Sequence, residues 1–361
     1  PVVNTVSSGV QFTATCIDQM AVGATPATEC VPSGTLTGNT ISLNATAAGE
    51  AHEYYVRFAS TDKVNNPQVP VTVPIRIDKI RPATTTNISG TWLPGAATVN
   101  FGITDAESGG NEVWSCYVEA PAECDPEADG AAGYSLDITH TGEVSKTYNV
   151  SYVSYDKAGN RELATGWITD SVNIDTSLPT TSDNNPTPAA ADWINYNPGV
   201  GGEPDFVITP ADTGSGVRYT YYCVDDSNAS PPCDPMGTSG TTIENLTPQT
   251  PADIIVNLAD VAAGAFEIYT VRYRSEDYAG NLQDIVEPVV RIDLSDPQTT
   301  PDGNEPVVWT ANNPVTFNLN TSDTGSGIFQ TWWCDDDGVT ACTPTSGTQG
   351  TSVSVSVNDG V

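Results

Sequence analysis

Carboxylates recur at fixed positions along this chain, and clustered carboxylate oxygens are the ligands that Ca²⁺ prefers. Eight of them are candidate calcium ligands: Asp78, Asp105, Asp156, Asp175, Asp212, Asp277, Asp293 and Asp323. A site at a domain junction would join an aspartate of one linker to an acidic loop of the neighbouring repeat, for example Asp175 with Asp212. The alternative is that these aspartates cap turns and the remaining charge is a solvated surface. None matches the spacing of an EF-hand loop.

Eight cysteines form four local pairs with separations of 14, 8, 10 and 8 residues. No pair has the spacing of a zinc site, and no histidine lies near enough in the sequence to complete one. Disulfides are therefore predicted, with eight buried thiols as the alternative. The predicted pairs are Cys16–Cys30, Cys116–Cys124, Cys223–Cys233 and Cys334–Cys342. Disulfides at this density indicate a compartment outside the reducing cytosol.

Little else in the chain could carry catalysis. Only two histidines occur, His52 and His140, and there is no nucleophile elbow, P-loop or zinc-binding helix motif. The acids could in principle form a glycosidase pair. They recur at equivalent places in successive repeats, which favours a structural role, so the sequence predicts that the protein is not an enzyme. The best candidate for sugar binding is Trp332-Trp333, where strand alternation would leave one ring exposed.

The overall charge excludes further classes of function. The 361 residues carry 45 acidic and 12 basic side chains, a formal charge of −33. Such a surface repels nucleic acid and anionic lipid headgroups. No apolar stretch approaches the roughly 18 to 20 residues of a membrane helix, so no membrane insertion is expected in this segment. An acidic surface with four lysines also suits a high-salt habitat.

Internal repeats show which elements position these residues. A Ser-Gly pair with its Gly seven residues before a Cys occurs four times, at Ser8, Ser108, Ser215 and Ser326. A Tyr-x-Val-x-aromatic-x-Ser-x-Asp block occurs three times, starting at Tyr54, Tyr148 and Tyr269. Its large residues fall at every second position, which indicates a half-buried strand. A turn follows each block, and an Ile-Asp-x-x-x-Pro block ends each repeat at Pro82, Pro179 and Pro297.

The fold class predicted is all-β: tandem immunoglobulin-like antiparallel β-sandwiches with one local disulfide each. The predicted domains are repeat 1 (1–82, N-terminally incomplete), repeat 2 (83–179), repeat 3 (180–297) and repeat 4 (298–361, C-terminally incomplete). In repeat 2, strands are predicted near 90–93, 97–104, 112–118, 134–139, 146–155 and 165–174. The Thr-, Pro- and Asn-rich stretches that open repeats 2 to 4 are predicted to be linkers. The incomplete ends indicate a window on a longer repeat chain, with strand exchange between chains as the rival interpretation.

The run of an aromatic strand, Asp-x-Ala-Gly-Asn and Ile-Asp-x-x-x-Pro resembles the bacterial immunoglobulin-like (Big-type) repeats of large surface adhesins and surface-appendage proteins. Asp156 to Asn160 and Asp277 to Asn281 fit the family turn, whereas Asp62 to Asn66 has Val64 and Asn65 in place of Ala and Gly. The cysteine pair is not general in that family. The resemblance implies an extracellular stalk or adhesive role, and related adhesins hold Ca²⁺ at repeat junctions. It identifies no ligand.

Six Asn-x-Ser/Thr sequons are candidate glycosylation sites: Asn44, Asn87, Asn149, Asn228, Asn245 and Asn320. Together these features predict a non-enzymatic extracellular repeat protein that forms a stalk, appendage or filament on a prokaryotic cell surface. The expected partners are other copies, neighbouring repeats of a longer chain, or surface glycans. The alternative is a spacer or carbohydrate-binding array of a secreted hydrolase.

Overall fold

The chain folds into two compact units, residues 1–175 (unit 1) and 176–361 (unit 2), in a computed structural model. The structure describes residues 9–35, 40–43, 47–142, 144–189, 191–226, 231–306, 308, 310–336 and 341–356. The boundary lies close to the predicted one at Pro179. The finer division into four repeats stays a prediction, although every sheet draws its strands from one predicted repeat.

The described residues of unit 1 form twelve strands. Those of repeat 1 are β1 (Val10–Met20), β2 (Gly34–Thr35), β3 (Ala51–Asp62) and β4 (Val71–Asp78). Those of repeat 2 are β5 (Ala83–Thr86), β6 (Trp92–Leu93), β7 (Ala97–Thr104), β8 (Gly110–Glu119), β9 (Ala131–Ala132), β10 (Ser135–Ile138), β11 (Ser145–Asp156) and β12 (Ile168–Asp175). Repeat 1 forms one sheet of order β2-β1-β3-β4. Repeat 2 forms two sheets, β10-β7-β5 and β6-β12-β11-β8-β9.

The core of repeat 2 lies between its two sheets, as the alternation of the Tyr-x-Val block predicts. Tyr148, Val150 and Tyr152 point inward from β11 and are all buried. Phe101 of β7 faces them, with its ring centroid 5.3 Å from that of Tyr152. Repeat 2 is therefore a β-sandwich, and the predicted fold class is confirmed.

Unit 2 repeats the arrangement. Repeat 3 has β13 (Thr180–Asp183), β14 (Phe206–Ala211), β15 (Val217–Asp225), β16 (Thr241–Glu244), β17 (Ile254–Val256), β18 (Phe266–Asp277) and β19 (Val289–Asp293). Repeat 4 has β20 (Gln298–Pro301), β21 (Val315–Ser322), β22 (Trp332–Trp333), β23 (Thr348–Gln349), β24 (Ser352–Val355) and a 3₁₀ turn, Pro344–Ser346. The sheets are β13-β14-β17, β16-β15-β18-β19, β20-β21-β24 and β22-β23.

The core of repeat 3 is the counterpart of the core of repeat 2. Phe206 and Ile208 of β14 pack against Tyr269, Val271 and Tyr273 of β18, and all five are buried. The same face of the Tyr-x-Val strand is therefore inward in both repeats.

The predicted linkers are wrong at their first residues. Ala83–Thr86, Thr180–Asp183 and Gln298–Pro301 are strands, each paired antiparallel with the next long strand of its own repeat. Threonine favours extended backbone, and each strand stops before the Asn- or Pro-rich residues that follow. The chain therefore passes from one repeat to the next through the few residues around each Pro of the Ile-Asp block.

All four predicted disulfides are present, with Cα–Cα distances of 6.1 to 6.3 Å. Each first cysteine lies on or directly after the strand that follows the Ser-Gly pair. Each second cysteine lies on the excursion that leaves that strand, so each bridge closes one local loop. In the described part of the chain, no helix is long and apolar enough to cross a membrane.

Candidate functional site

Three of the predicted ligands come together in unit 1. Asp78, Asp105 and Asp156 each offer a carboxylate oxygen, and these atoms all lie within 4.8 Å of one another. Asp78 belongs to repeat 1, whereas Asp105 and Asp156 belong to repeat 2. The cluster is therefore built from both sides of the junction between two repeats, which is the arrangement predicted for a junction site.

Asp78 is the last residue of β4, and its carboxylate connects the two repeats. Its Oδ1 accepts a hydrogen bond from the Ile80 N–H at 2.8 Å, which fixes the turn out of the strand. Its Oδ2 accepts one from the Ser108 N–H at 3.1 Å, across the junction. The Asp78 carbonyl also accepts a bond of 3.0 Å from the Asn160 side chain.

Asp105 begins the loop between β7 and β8. Its Oδ2 accepts the Gly109 N–H at 2.7 Å and the Ser108 hydroxyl at 3.3 Å. Gly109 has a φ of +80°, a value that favours glycine, so the Ser-Gly pair shapes the loop around this carboxylate. The other oxygen, Oδ1, is buried and accepts no hydrogen bond from the described residues. A buried carboxylate oxygen without a donor is costly, and a cation would satisfy it.

Asp156 ends β11 and opens the turn to Asn160. It is 1% exposed. Its two oxygens accept the backbone N–H of Asn160 at 2.8 Å and the side-chain amide of Asn160 at 2.7 Å. The same asparagine reaches the Asp78 carbonyl, so it joins the turn of repeat 2 to the last strand of repeat 1. Sequence reasoning placed Asn160 in the turn but missed this bridging contact.

The electrostatics of this cluster favour a cation. Two unit charges 4.8 Å apart repel by about 3 kcal/mol at an effective dielectric constant of about 20. Three such pairs share this junction, and backbone donors offset only part of the repulsion. Among the described basic side chains, none forms an ion pair with Asp78, Asp105 or Asp156. A cavity of about 300 Å³ lies beside the cluster and is lined in part by Glu107 and Lys157.

Asp175, Asp212 and Asp277 occupy the corresponding sequence positions and belong to different units. Asp175 ends β12 of unit 1 and is buried. In unit 2, Asp212 accepts the Gly216 N–H at 2.6 Å, and Asp277 accepts the Asn281 N–H at 2.8 Å. Each contact reproduces its counterpart at Asp105 or Asp156. The predicted site that pairs Asp175 with Asp212 stays a prediction.

Asp293 and Asp323 lie close together within unit 2. The Ser326 N–H donates to Asp293 at 2.6 Å, and the Ser295 hydroxyl contacts both aspartates, at 3.2 Å for Asp323. Burial acts to raise the pKa of Asp293, but hydrogen bonds from Ser295 and Ser326 outweigh it and lower the pKa to about 2. At the junction between repeats 3 and 4, hydroxyl and backbone amide groups therefore donate hydrogen bonds to the carboxylates.

The sequons differ in their surroundings. Asn87 and Asn320 are exposed, and Asn149 is half-buried with its amide donating to the Ala122 carbonyl at 2.8 Å. The candidate acceptor Asn245 is 5% exposed and its amide faces Thr220, so the folded domain leaves little access to it, and its glycosylation stays a prediction. Asn44 and Asn228 lie outside the described residues.

The predicted sugar-binding tryptophans lie in a short strand of repeat 4. Trp332 and Trp333 form β22, and both are half-buried, which differs from the expectation that one ring would be exposed. Their strand pairs with β23, the short strand after the disulfide loop.

Sequence reasoning missed a second set of charged residues beside the disulfides. In repeat 3, Arg272 pairs with Asp225, whose carboxylate also accepts the Cys233 N–H at 2.8 Å. In repeat 1, Arg57 pairs with Asp18, which accepts the Cys30 N–H at 3.0 Å. The signal was available: each Asp stands two residues after the first cysteine, and each Arg stands three residues after the block's first tyrosine.

No protein-family model matches the chain, and no curated protein matches it. Among solved structures, the fibronectin(III)-like modules of Clostridium thermocellum CbhA are 12% identical, with a TM-score of 0.27, over 58% of this chain and 93% of theirs. The FN1–FN3 domains of chicken CNTN1 are 9% identical, with a TM-score of 0.26, over 66% and 77%. Salmonella alpha-2-macroglobulin (mutant Y1175G) is 10% identical, with a TM-score of 0.19, over 86% and 23%. Values of this size assign no family.

Proposed function

We propose that this protein is an extracellular structural repeat protein of a prokaryotic cell surface, in which Ca²⁺ stiffens the junction between successive β-sandwiches. The observation that carries the proposal is the cluster of Asp78, Asp105 and Asp156, with ligands from two repeats. A cation held there would tie the end of β4 to two loops of repeat 2. Bending at the junction would then require at least one ligand to be lost.

The chemistry of the site favours a hard divalent cation. All three donors are carboxylates, none of them forms an ion pair with a described basic side chain, and the buried Asp105 Oδ1 lacks a donor among the described residues. Calcium accepts six to eight oxygen ligands in flexible geometry, whereas Mg²⁺ demands a tighter octahedron. Glu107, which lines the adjacent cavity, and water would complete the coordination.

The extracellular setting is supported by the four disulfides, which persist in oxidising compartments. The strongly acidic composition supports a role in which electrostatic repulsion keeps the chain soluble and separate from other acidic surfaces. A stalk that displays a distal function fits both features, because it needs reach and solubility rather than a catalytic pocket.

The test is a calorimetric melt of the full chain with Ca²⁺, with Mg²⁺ and in excess chelator at low salt. A ligand at about 100 times its Kd stabilises the folded state by about 2.7 kcal/mol, so the transition of unit 1 should rise by several degrees with Ca²⁺. An unchanged melt in chelator would overturn the proposed calcium site.

Asp62 provides a matched control. It opens the equivalent turn of repeat 1 and makes the same contacts to Asn66, at 2.8 Å and 2.9 Å, that Asp156 makes to Asn160. Asp156→Asn and Asp62→Asn should therefore weaken their turns to a similar extent. Only Asp156→Asn should abolish the response to Ca²⁺, and equal responses from both variants would contradict the assignment of the ligands.

A further inference from the structure

The repeated Tyr-x-Val-x-aromatic-x-Ser-x-Asp block contains a serine that the junction site does not explain. This serine is Ser154 in repeat 2 and Ser275 in repeat 3, and both are 0% exposed. A buried hydroxyl is costly unless it is hydrogen-bonded, so its partners show what it stabilises. In both repeats those partners connect it to the first strand of the repeat, by which the chain enters the sandwich.

In repeat 3 the serine contacts the first strand directly. The Thr181 hydroxyl of β13 lies 2.7 Å from the Ser275 hydroxyl of β18, and both groups are buried. Two residues earlier on β18, the Tyr273 hydroxyl donates to the carboxylate of Asp183, the last residue of β13. Side chains therefore link β13 at two places to a strand of the opposite sheet.

In repeat 2 one carboxylate bridges the same two positions. The backbone N–H and the hydroxyl of Thr84, on the first strand β5, donate to the two oxygens of Glu162, each at 2.7 Å. The Ser154 hydroxyl of β11 donates to the same carboxylate at 3.0 Å. Thr84 and Ser154 correspond to Thr181 and Ser275, so both repeats link the first strand to the same strand of the opposite sheet.

The backbone gives the first strand little support of its own. In the described sheets, β5 and β13 are edge strands, each paired over four residues with β7 or β14. The last strands, β12 and β19, belong to the other sheet and pair with β11 and β18. Backbone pairing between the entering segment and the last strand is limited to Trp92–Leu93 on β12 and a bridge from Ile194 to β19.

Tension along a rod of repeats enters each repeat at its first strand and leaves at its last. Side chains stand roughly perpendicular to their sheet, so the links from Thr181 and Asp183 cross the core while tension acts along β13. For β13 to slide, these links must break together with its pairing to β14. Intact links would pass the tension to β18, which pairs directly with the last strand.

We propose that these side-chain links form a latch that carries tension from the first strand of a repeat to the opposite sheet and sets the rate of unfolding under load. The latch consists of Thr181, Asp183, Tyr273 and Ser275 in repeat 3, and of Thr84, Ser154 and Glu162 in repeat 2. It rests on the proposed stalk function, because a chain pulled at its ends needs such a latch, and it does not depend on Ca²⁺.

Repeat 3 offers a matched control at the same serine. The Thr220 hydroxyl of β15 lies 3.0 Å from the Ser275 hydroxyl, and Thr220 is buried like Thr181. Thr181→Val and Thr220→Val each remove one hydroxyl contact with Ser275, but β15 is neither the first nor the last strand of the repeat. Thr220→Val also removes a contact of 3.5 Å with the Asn245 amide, so its equilibrium cost should be at least as large.

The test is constant-force unfolding of the full chain held by its two ends, in chelator and again in Ca²⁺. Repeats 3 and 2 are the longest and second longest of the four predicted repeats, so their unfolding steps differ in length. Thr181→Val should unfold the longest step at least about tenfold faster than wild type, and Thr220→Val less than about threefold faster, where tenfold corresponds to about 1.4 kcal/mol. Urea unfolding should show no greater loss of stability for Thr181→Val than for Thr220→Val.

Two further variants make the test independent of one substitution. Tyr273→Phe removes only the hydroxyl that donates to Asp183, and it should also speed the longest step. Glu162→Gln replaces one carboxylate oxygen by an amide group that donates, and this group would face the backbone N–H of either Thr84 or Ser154. Glu162→Gln should therefore speed the step of repeat 2 and leave that of repeat 3 unchanged.

Equal acceleration of Thr181→Val and Thr220→Val under force would refute the latch, because the rate would then follow equilibrium stability. Wild-type rates for Thr181→Val and Tyr273→Phe, with wild-type circular dichroism spectra, would refute it as well. The comparison of chelator with Ca²⁺ separates the two proposals. Latch effects that are intact while Ca²⁺ changes no melt would overturn the calcium site alone.

Discussion

The ion pair beside the disulfide of repeat 3 makes a prediction whose magnitude follows from the structure. Arg272 stands directly opposite Cys223 in the ladder between β15 and β18. Its guanidinium pairs with Asp225, and its Nε donates to Glu287 at 2.8 Å. The side chains of Arg272 and Asp225 are 15% and 10% exposed. The Asp225 carboxylate also accepts the Cys233 N–H, so one group connects the strand to the disulfide loop.

Asp225→Ala should destabilise repeat 3 by about 3 kcal/mol. Removing one partner of a buried pair costs about 3 to 5 kcal/mol because the other charge is left without compensation. The lower end of this range of destabilisation applies because the half-exposed Glu287 still forms an ion pair with Arg272. In the corresponding hairpin of repeat 2, Val118 occupies the position of Asp225 and Ser151 that of Arg272. The double variant Asp225→Val/Arg272→Ser should therefore lower the stability of repeat 3 by only about 1 kcal/mol.

Hydrogen exchange of the full chain, followed by mass spectrometry of strand peptides, reads each repeat separately. In Asp225→Ala, peptides from β15 and β18 should exchange about 100-fold faster, since 1.4 kcal/mol is a factor of ten. Peptides from β8 and β11 serve as the internal control and should not change. If the single and double variants lose the same protection, an unpaired buried charge is not the cause and the reasoning fails.

Three further predictions concern turns, acid and disulfides. Gly216 and Gly264 both have positive φ, but only at Gly216 would an added Cβ meet the Pro248 backbone, at 2.7 Å. In urea unfolding, Gly216→Ala should therefore destabilise the chain at least twice as much as Gly264→Ala. Since the folded pKa of Asp293, about 2, lies below its unfolded value near 3.8, its contribution is present above pH 4 and lost as pH falls through 2. Asp293→Asn should therefore flatten the acid unfolding profile of unit 2 in that interval, as measured by tryptophan fluorescence. Replacing Cys116 and Cys124 together by Ser should lower the stability of repeat 2 by about 2–3 kcal/mol in hydrogen exchange, because an eight-residue loop is no longer closed.

Side-chain alternation made the long strands predictable. In the Tyr148 block every second residue is large, and those residues are buried against the opposite sheet. The cysteine spacing likewise fixed the pairing, because each pair was local and had no zinc-type alternative. Such features are encoded in neighbouring residues, and a sequence reader needs no tertiary information to find them.

The opening strands could not be predicted in this way. Ala83–Thr86 is short and its side chains are alternately exposed and half-buried, so it shows no apolar period. It is a strand because its backbone pairs with β7, which lies beyond a loop and a further short strand. Threonine, proline and asparagine are also the residues of linkers, and only the non-local partner distinguishes the two.

The candidate site shows the same limit. Sequence repetition identified Asp78, Asp105 and Asp156 individually, and the junction model paired a linker aspartate with a loop aspartate. The third member, Asp156, lies 78 residues from Asp78, and it joins them because the β11 turn packs beside the end of β4. Asn160, which fastens these two elements, could be recognised only from its contact with the Asp78 carbonyl.

The charge of −33 therefore has physically distinct parts. Carboxylates such as Asp62 are satisfied by backbone and amide donors of their own turn. Others, such as Asp225, are neutralised by a guanidinium. In the cluster of Asp78, Asp105 and Asp156, the buried Asp105 Oδ1 has no donor and none of the three carboxylates forms an ion pair among the described residues. Monovalent salt screens all exposed charges by an amount that grows steadily with ionic strength, whereas a divalent cation bound at the cluster acts at one place and saturates. Stabilisation by Ca²⁺ should accordingly persist at high NaCl and reach a plateau, which general screening cannot produce.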